Sequence, residues 1–475
     1  MGSAYDLLVI GSGPGGYAAA LTAARRGLKV GLIEREAWGG VCLNVGCIPT
    51  KALLAVASFV RRLRRADRFG VRVDGYHVDY AAVHARNAEL IAGLRRGLTE
   101  VLQREGVALI AGTASFEDPH RVRVAQERGR IALEAGRFIL ATGARPSPGP
   151  WTFDEQRLLS YRGVLALAQL PASLLVIGGG VIGCEFASLF AAFGTKVTVV
   201  EQQPQLLPME EPEAVRWLVR RLEADGVTLA TGTTVTRLDS SAAGVAATLS
   251  DGSRQTAERC VIAIGQQPNL EALQLASAGV AFGRGITVDA HRRTSQPHIA
   301  AIGDCIEGHG LAHWASVEGG LAVRHLLGDP AAEALEAHDV PRCIFTDPEI
   351  AHIGLTETEA GERARASRVS FAALGKSHCD DDTDGFVKLV VDRATDRVLG
   401  ATIVGAHASS LIHYAVLALH HGLTARQLAQ TITAHPTLPE GVTEAAAHLY
   451  GESLVLASRR PRMGQPQAGS ARQPR

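Results

Sequence analysis

Two cysteines lie close enough in the sequence to work as a redox pair. Cys42 and Cys47 occur in the segment GGVCLNVGCIPTK. On a regular helix, residues five apart have Cα atoms about 8 to 9 Å apart, which is farther than a disulfide can span. Asn44 and Gly46 between the cysteines, and Pro49 after them, tolerate or impose departures from helical geometry. The sequence therefore predicts a distorted turn with a strained disulfide that is easily reduced.

Other interpretations of this pair are a zinc site and two unrelated thiols. Zinc would need two more cysteine or histidine ligands at short spacing, and none lie nearby. Two unrelated buried thiols stay open on spacing alone. The chain has 7 cysteines in 475 residues, too few for a disulfide scaffold, so we expect most of them to be reduced thiols of an intracellular protein.

A histidine and a carboxylate flank two prolines near the end of the chain. His435 and Glu440 stand in ITAHPTLPEGVTEAA, where the prolines could hold the imidazole against the carboxylate for proton exchange with a thiol. A solvated histidine beside a helix cap is the alternative. The run SHCDDDTDG, with His378 and Cys379, is interpreted as a solvated turn because its groups are too close in sequence to surround one ion. We predict no metal site.

Two stretches of the chain share one pattern of strand, glycine turn, helix, strand and acid. In both, the acid follows the last glycine by 18 residues. The first copy has Gly11, Gly13, Gly16 and Glu34, and the second has Gly178, Gly180, Gly183 and Glu201. Glycine turns also occur wherever a strand packs closely on a helix, but the acid and the repetition favour two dinucleotide sites. A carboxylate at Glu201 would repel the 2′-phosphate of NADP, so NAD is favoured at the second site.

Alternating strands and helices predict an α/β fold with two doubly wound nucleotide-binding domains, the second inserted in the first. Polar strands around an Asp-Arg-Ala-Thr-Asp turn in GFVKLVVDRATDRVLGATIVG predict an antiparallel hairpin in a third domain. The predicted boundaries are 1–150 for the first domain, 151–270 for the second, 271–338 for the first domain resumed, 339–458 for the third and 459–475 for a disordered tail.

The composition excludes several classes of partner. Lys plus Arg and Asp plus Glu both number 48, so no uniform field favours nucleic acid or a membrane surface. The N-terminal apolar stretch has no positive lead-in and runs into glycines, unlike a signal peptide. No unbroken apolar run has the length of a membrane-spanning helix. We expect a cytoplasmic protein.

Seven segments together resemble the pyridine nucleotide-disulfide oxidoreductases, in the same order along the chain. They are GSGPGG, CLNVGCIPTK, ATGARP, GGGVIGCE, AIGD, FTDPEIAHIGLTE and HPTLPE, within residues 5–455. CLNVGCIPTK followed by HPTLPE is most similar to the dihydrolipoamide dehydrogenase branch of that family. The resemblance implies FAD in the first domain, NAD in the second and an α+β dimerisation domain at the C-terminus.

The resemblance also assigns residues to each site. It implies FAD contacts at Gly11, Gly13, Gly16, Glu34, Lys51, Ala114, Gly143, Asp304 and Ala312. It implies NAD contacts at Gly178, Gly180, Val181, Ile182, Gly183, Glu201, Val235 and Gly265, with Glu185 paired to Lys51 beside the flavin. Cys42 would exchange with the substrate and Cys47 would lie against the flavin. His435, oriented by Glu440 and supplied by the partner subunit of a homodimer, would be the acid-base.

The activity implied is oxidation of protein-bound dihydrolipoamide, on a lipoyl-bearing domain, with reduction of NAD+. A related NAD(P)H-dependent disulfide reductase with another substrate, or a non-catalytic flavin-binding redox sensor, stays open. Trp314, Ser410 and the segment 376–384 depart from the family pattern, which leaves the disulfide partner undecided. Cys305 is interpreted as a small buried thiol.

Overall fold

The computed structural model describes residues 5–308, 310–329 and 340–457. Its chain divides into two compact units. One comprises the described residues up to Met209 and from Val219 to 329, and the other comprises Glu210–Leu218 and the described residues from 340 onward. The predicted tail, 459–475, lies outside the described residues.

The strands are numbered in chain order. They are Tyr5–Ile10 (β1), Val30–Glu34 (β2), Ala108–Ala111 (β3), Thr113–Asp118 (β4), Arg121–Gln126 (β5), Gly129–Leu140 (β6), Ala144–Pro146 (β7), Leu158–Leu159 (β8), Ser173–Ile177 (β9), Lys196–Glu201 (β10), Thr228–Thr231 (β11), Val235–Ser241 (β12), Gly244–Leu249 (β13), Arg254–Ala257 (β14), Arg259–Ile262 (β15), Gln266–Pro268 (β16), Ile299–Ala301 (β17), Arg342–Ile344 (β18), Glu349–Gly354 (β19), Ala364–Ser370 (β20), Phe386–Asp392 (β21) and Val398–Gly405 (β22).

The helices follow the same numbering. They are Pro14–Ala24 (α1), Gly40–Val45 (α2), Cys47–Arg64 (α3), Tyr80–Arg104 (α4), Tyr161–Leu165 (α5), Val181–Ala192 (α6), Pro212–Ala224 (α7), Ala312–Leu326 (α8), Glu357–Ala360 (α9), Gly375–Cys379 (α10), Ala408–His420 (α11), Ala425–Ala429 (α12) and Glu440–His448 (α13). Short 3-10 turns occur at Ala66–Phe69, Glu271–Leu273, Leu275–Ala278, Gly303–Cys305, Gly361–Arg363 and Phe371–Ala373.

The first sheet of the first unit has the order β3-β2-β1-β6-β5-β4, and β17 also pairs with β6. β1, β2, β3 and the end of β6 run parallel, while β4, β5 and the start of β6 form an antiparallel meander. The last four residues of β1 are buried, as expected of a strand covered on both faces. Because β17 joins β6 in parallel, the chain returns to this sheet after residue 271.

The second sheet of this unit is parallel, with the order β11-β10-β9-β15-β8. It repeats the first sheet in that a strand, β9, leads through a glycine turn into a helix, α6, and then into a second strand, β10. The part of the chain that forms the second sheet also forms an antiparallel sheet of β12, β13 and β14. The short strands β7, before the second sheet in the chain, and β16, after it, pair with each other in antiparallel fashion.

The second unit is an antiparallel sheet of order β18-β19-β22-β21-β20 with helices packed on it. β21 and β22 form the hairpin that the sequence predicts around Asp-Arg-Ala-Thr-Asp. The buried core joins Val387, Leu389, Ala401 and Ile403 of this hairpin to Ile412 of α11. The boundaries predicted at 150, 270 and 338 stay predictions.

Helices α2 and α3 together, Gly40–Arg64, are the one described helical stretch that is long and apolar enough to cross a membrane by length and composition. A third of its most apolar window, 33%, is buried inside the protein, and core helices of water-soluble proteins pass the same test. The stretch is interrupted at Gly46, and its last turn carries Arg61, Arg62 and Arg64, which are costly inside a bilayer.

Candidate active site

The two cysteines stand on either side of a break between two helices. Cys42 lies in α2, Cys47 is the first residue of α3, and Gly46 between the helices has φ −141° and ψ −112°. A Cβ at Gly46 would lie 2.9 Å from the carbonyl oxygen of Val41 and 3.3 Å from the Cα of Cys42. The chain thus folds back on the turn that holds Cys42, and the distorted geometry expected around Gly46 is observed.

Both cysteines are present as half-buried thiols. The Cys42 thiol donates a hydrogen bond to the Cys47 sulfur, and this bond lowers the pKa of Cys47 to about 7, with a further contribution from the charge of Lys51. The same bond, together with burial, raises the pKa of Cys42. The first position of an 18-residue helix also favours a thiolate at Cys47. These pKa shifts favour a thiolate at Cys47 beside a thiol at Cys42.

Lys51 lies one turn after Cys47 and forms an ion pair with a buried carboxylate. Its Nζ donates to both oxygens of Glu185, at 2.9 and 2.8 Å. Glu185 belongs to α6, which follows the second glycine turn, and its side chain is only 4% exposed. The pairing that the resemblance implies therefore exists in the structure and joins the cysteine helix to the helix of the second glycine motif.

A second link between these helices has no signal in the sequence. Arg61, near the end of α3, donates to the carbonyl oxygen and hydroxyl of Ser188 at 2.7 and 3.0 Å. It also pairs with Asp225 at 3.0 Å, and its side chain is 6% exposed. Because these partners are distant in the chain, only the folded structure reveals them. Arg61 positions α3 along α6.

The two glycine turns have the same geometry. The first glycine of each has a positive φ, +100° at Gly11 and +106° at Gly178, where side chains are strained. A Cβ on the third glycine would lie 1.8 Å from the Gly11 carbonyl oxygen at Gly16, and 1.9 Å from the Gly178 carbonyl oxygen at Gly183. These glycines are required by the packing of strand on helix.

The middle glycine of each turn faces open space. Gly13 caps α1 and Gly180 caps α6, and neither has an atom within 4 Å of the position of an added Cβ. Neither helix start has a side-chain hydrogen bond that caps its amide groups. Open space beside free amides at the positive end of a helix fits a pyrophosphate, so both turns fit the dinucleotides that the resemblance implies.

The two acids at the ends of β2 and β10 also occupy matching places. Glu34 accepts from the amide and hydroxyl of Ser12 at 2.9 and 2.7 Å. Glu201 accepts from the amide of Gly179 at 2.6 Å and from that of Gln203 at 2.7 Å. Each carboxylate is thereby held against its own glycine turn, where its remaining lone pairs can accept from ribose hydroxyls.

The structure brings several further predicted residues toward the first glycine turn. Asp304 follows β17, and burial, with the charge of Glu318, raises the pKa of its carboxyl. Glu318 of α8 accepts from the amide of Gly303 at 2.7 Å. Ala312 begins α8, which packs along α1. Gly143, with φ +65°, faces open space.

Ala114 is placed differently from these residues. Its side chain is buried in the core of the first sheet, in a cluster with Phe116 and Val124, so only its backbone could face a ligand. Of the residues implied for NAD, Val181 and Ile182 begin α6 beside Gly180. Val235 begins β12, and Gly265 has φ +121° with nothing within 4 Å of an added Cβ.

His435 and Glu440 meet in the second unit. The Nδ1 of His435 lies 2.8 Å from Oε1 of Glu440, and Oε2 of Glu440 accepts from the Thr437 amide at 2.7 Å. Partial burial raises the pKa of Glu440, but the Thr437 amide and His435 outweigh it and hold that pKa below its ordinary value. The His435 side chain is 77% exposed. The orienting contact predicted for this pair is present, and Nε2 is left for a substrate.

The positions that depart from the family pattern are structurally ordinary. Trp314 is buried in α8 with the guanidinium of Arg292 over its ring, and Ser410 is exposed on α11. In the segment 376–384, Lys376 pairs with Asp380 at 2.7 Å. Cys305 is fully buried, and burial raises its pKa to about 11. No group of three His, Cys, Asp or Glu side chains able to hold a metal occurs among the described residues.

Comparison with known proteins decides the family. Residues 5–319 match the family described as pyridine nucleotide-disulphide oxidoreductase, and residues 340–446 match its dimerisation domain. The chain belongs to the pyridine nucleotide-disulphide oxidoreductase family. The fold class predicted from the sequence is thereby confirmed, and this oxidoreductase is a homodimer.

Relatives within the family are similar over nearly their whole length. Dihydrolipoyl dehydrogenase of Chlamydia pneumoniae is 38% identical over 462 residues, which cover 96% of this chain and 98% of that one. The crystal structure of LpdA from Mycobacterium tuberculosis is 32% identical with a TM-score of 0.88, covering 93% of this chain and 99% of that one. A Cu(II) complex of the HOCl-induced flavoprotein disulfide reductase RclA from Escherichia coli is 28% identical with a TM-score of 0.85, covering 94% and 99%.

These similarities establish the class of enzyme. The protein is an NAD-linked flavin disulfide oxidoreductase with FAD and NAD as cofactors. The predictions of cofactor and of reaction class are therefore confirmed, whereas the roles of individual site residues stay predictions.

Proposed function

We propose that the protein is a dihydrolipoamide dehydrogenase that oxidises a dihydrolipoyl group on a lipoyl-bearing protein domain and reduces NAD+ to NADH. The observation that supports this most is the thiol pair itself. Cys42 and Cys47 stand on either side of the helix break at Gly46, beside the ion pair of Lys51 and Glu185, in a distorted turn that suits a disulfide able to accept two electrons from a dithiol. Relatives named dihydrolipoyl dehydrogenase, at about 38% identity over nearly the full chain, support the choice of substrate.

The chain's own residues account for the thiol exchange. A dihydrolipoyl thiolate attacks the sulfur of Cys42, and the bond from Cys42 to Cys47 breaks with Cys47 leaving as a thiolate. The second substrate thiol loses its proton to His435 and attacks the substrate sulfur of the mixed disulfide, so the cyclic disulfide forms and Cys42 leaves as a thiolate. The imidazolium of His435 then returns the proton to Cys42, which becomes a thiol. Two electrons thus pass from the dithiol to the cysteine pair.

His435 serves this exchange from the partner subunit in our proposal. Glu440 holds Nδ1, so the imidazole presents Nε2 and accepts the substrate proton there. The lowered pKa of Glu440 keeps it a carboxylate at neutral pH, which stabilises the imidazolium that forms. Glu440 is thus a positioning residue, and His435 is the acid-base.

The residues that fit FAD are Gly11, Gly13, Gly16, Glu34 and Asp304, and Lys51 lies four residues after Cys47. FAD, when bound, supplies two-electron transfer between a dithiol and a nicotinamide, which thiols alone do not perform. The residues that fit NAD are Gly178, Gly180, Gly183 and Glu201. The carboxylate of Glu201 lies where NADP would carry a phosphate, and we assign NAD on that ground.

A disulfide reductase acting on another substrate is the second candidate. Trp314, Ser410 and the segment 376–384 depart from the family pattern, and RclA, a flavoprotein disulfide reductase, is a structural neighbour. We propose that it acts in the cytoplasm, in line with its cysteines, which are free thiols.

The test is a steady-state panel on FAD-loaded protein. NADH and NADPH are each offered with lipoamide, glutathione disulfide and mercuric ion. We expect turnover with NADH and lipoamide to exceed every other combination by about tenfold or more. Preference for glutathione disulfide or mercuric ion would favour the second candidate, and absence of turnover with every acceptor would favour a redox sensor.

Two serine variants connect the activity to the thiol pair. Cys42→Ser should keep its yellow cofactor and lose lipoamide turnover by about a thousandfold or more. Cys379→Ser, which removes an exposed thiol on α10, should leave turnover of free lipoamide unchanged. Undiminished activity of Cys42→Ser would remove Cys42 from the mechanism.

A further inference from the structure

The side chain of Asn44 forms the centre of the turn between the two cysteines. Its Nδ2 donates to the carbonyl oxygens of Gly40 at 2.8 Å, Trp38 at 3.0 Å and Ala37 at 3.4 Å. Its Oδ1 accepts from Nε of Arg95 at 2.9 Å. The amide thus ties the end of α2 back to the loop before it.

Arg95 approaches this turn from α4, a helix distant in sequence. Asn87, eight residues earlier on the same helix, donates to the carbonyl oxygen of Pro49 at 3.2 Å. Residues spaced by about two helical turns lie on one face, so α4 contacts the cysteine turn at two points. One point lies before the helix break at Gly46, and the other lies after it.

The two contacts matter differently in the two redox states. In the disulfide state a covalent bond holds the two sulfurs together. In the dithiol state only the surrounding structure keeps Cys42 within hydrogen-bond distance of Cys47. Anything that fixes the turn therefore keeps the reduced sulfurs at the short separation that a disulfide requires, which raises their effective concentration and favours the disulfide state over the dithiol state.

We propose that Arg95 is a positioning residue of the redox centre, which acts through the side chain of Asn44 to hold Cys42 and Cys47 in contact when they are reduced. This inference rests on the redox role proposed for the cysteine pair. The Nε–H group of Arg95, rather than its charge, is what the proposal requires, since Nε makes the contact with Asn44.

Three variants separate the hydrogen bond from the charge. Arg95→Met removes both. Arg95→Gln removes the charge but places an amide N–H at the same number of bonds from Cα as the arginine Nε. Arg96→Met removes the neighbouring arginine, which is exposed on α4 and makes no bond to the turn, and serves as the matched control.

Two measurements on FAD-loaded protein test the proposal without any turnover assay. The first is the equilibrium with dithiothreitol, in which one dithiothreitol is oxidised to its ring disulfide as one Cys42–Cys47 disulfide is reduced to two thiols. The second is the pH dependence of iodoacetamide labelling of Cys47, read by mass spectrometry. Flavin content and thermal unfolding establish that each variant is folded.

We expect Arg95→Met to shift the dithiothreitol equilibrium about fivefold toward the reduced enzyme, as expected for loss of one hydrogen bond that holds the turn, and to raise the pH of half-maximal Cys47 labelling. Arg95→Gln and Arg96→Met should match the unaltered protein in both measurements. Asn44→Ser, a second variant at the centre of the turn, should shift both in the direction of Arg95→Met.

Equal behaviour of Arg95→Met and the unaltered protein would overturn the inference. So would an Arg95→Gln variant that shifts as far as Arg95→Met, because charge would then be the cause. Failure of the redox role on which the inference rests gives a different result, since the unaltered protein itself would then show no exchange between dithiothreitol and the cysteine pair. Failure of the proposed substrate alone would leave that exchange intact and would appear only in the turnover panel.

Discussion

Lys51 and Glu185 form an ion pair between helices that serve different parts of the chemistry. Lys51 lies four residues after Cys47 on α3, and Glu185 lies on α6 behind the second glycine turn, with the Nζ to carboxylate distances at 2.9 and 2.8 Å. The ammonium lowers the pKa of Cys47, while the carboxylate of Glu185 raises it. The ion pair of Lys51 and Glu185 therefore determines the net charge beside the Cys47 thiolate.

Loss of the Lys51 charge should make the Cys47 thiolate less stable. We expect Lys51→Met to raise the pKa of Cys47 by about one unit, since a nearby opposite charge shifts a pKa by that order. Labelling of reduced Cys47 by iodoacetamide at pH 7 should then slow by about fivefold. Lys196→Met, which removes an exposed lysine on β10, should label at the rate of the unaltered protein. An unchanged rate in Lys51→Met would show that Lys51 does not act on the thiolate.

The lowered pKa of Cys47 should make the stability of the reduced protein depend on pH. A group whose pKa is lower in the folded state stabilises that state above its unfolded pKa, here ordinarily 9.0, and this contribution is lost as pH falls through about 7. We expect the free energy of unfolding to fall by about 1 to 3 kcal/mol as the pH is lowered from about 9 to about 7. Thermal unfolding of the reduced protein at several pH values measures this. Cys47→Ser, with no thiolate, should lack the dependence, and an equal slope in that variant would contradict the assignment.

The glycines of each turn should respond to alanine in opposite ways. Gly13→Ala adds a methyl group to open space, so we expect normal folding with reduced flavin content. Gly16→Ala brings the methyl group 1.8 Å from a carbonyl oxygen, so we expect a loss of stability of about 1 to 3 kcal/mol or more. Gly180→Ala and Gly183→Ala should repeat the contrast for NADH binding. Flavin absorbance, NADH titration and thermal unfolding check the four variants. A fully flavin-loaded Gly13→Ala protein would show that the open space is not the pyrophosphate site.

The contact between His435 and Glu440 should support the proton transfer of the reaction. Because the pKa of Glu440 is lowered, the carboxylate is ionised at neutral pH and is lost only as pH falls through that lowered value. We expect Glu440→Gln to reduce kcat/KM by about tenfold or more at neutral pH, since the imidazole of His435 loses the carboxylate that orients it. Glu444→Gln, one turn later on α13, should keep the kcat/KM of the unaltered protein. An unchanged kcat/KM in Glu440→Gln would separate Glu440 from the proton transfer.

Local patterns predicted the parts of the site that depend on neighbouring residues. The two glycine turns, their acids and the departure from helical geometry at Gly46 follow from residue types at fixed spacing, because each is set by a few φ and ψ angles or by a short contact. The hairpin of β21 and β22 follows from alternating residues around a turn. These features need no knowledge of the rest of the chain.

Contacts between distant segments could not be predicted in this way. Arg61 with Ser188 and Asp225, and Arg95 with Asn44, join helices far apart in the chain. Nothing in the local sequence distinguishes these arginines from the exposed arginines beside them, since only packing decides which side chain is buried. The burial of Ala114 in the core of the first sheet could not be predicted locally either, because it is a property of the whole fold.

The pairing of β17 with β6 has a consequence for biosynthesis. The strand that completes the first sheet, and Asp304 directly after it, emerge from the ribosome only after the whole second sheet has been translated. The glycine turn at Gly11 is translated among the first residues. The residues that surround it are all present only after nearly three hundred more have been added. Sheets closed by such distant strands form slowly, so a nascent or truncated chain that stops before residue 299 should depend on chaperones and should not retain flavin.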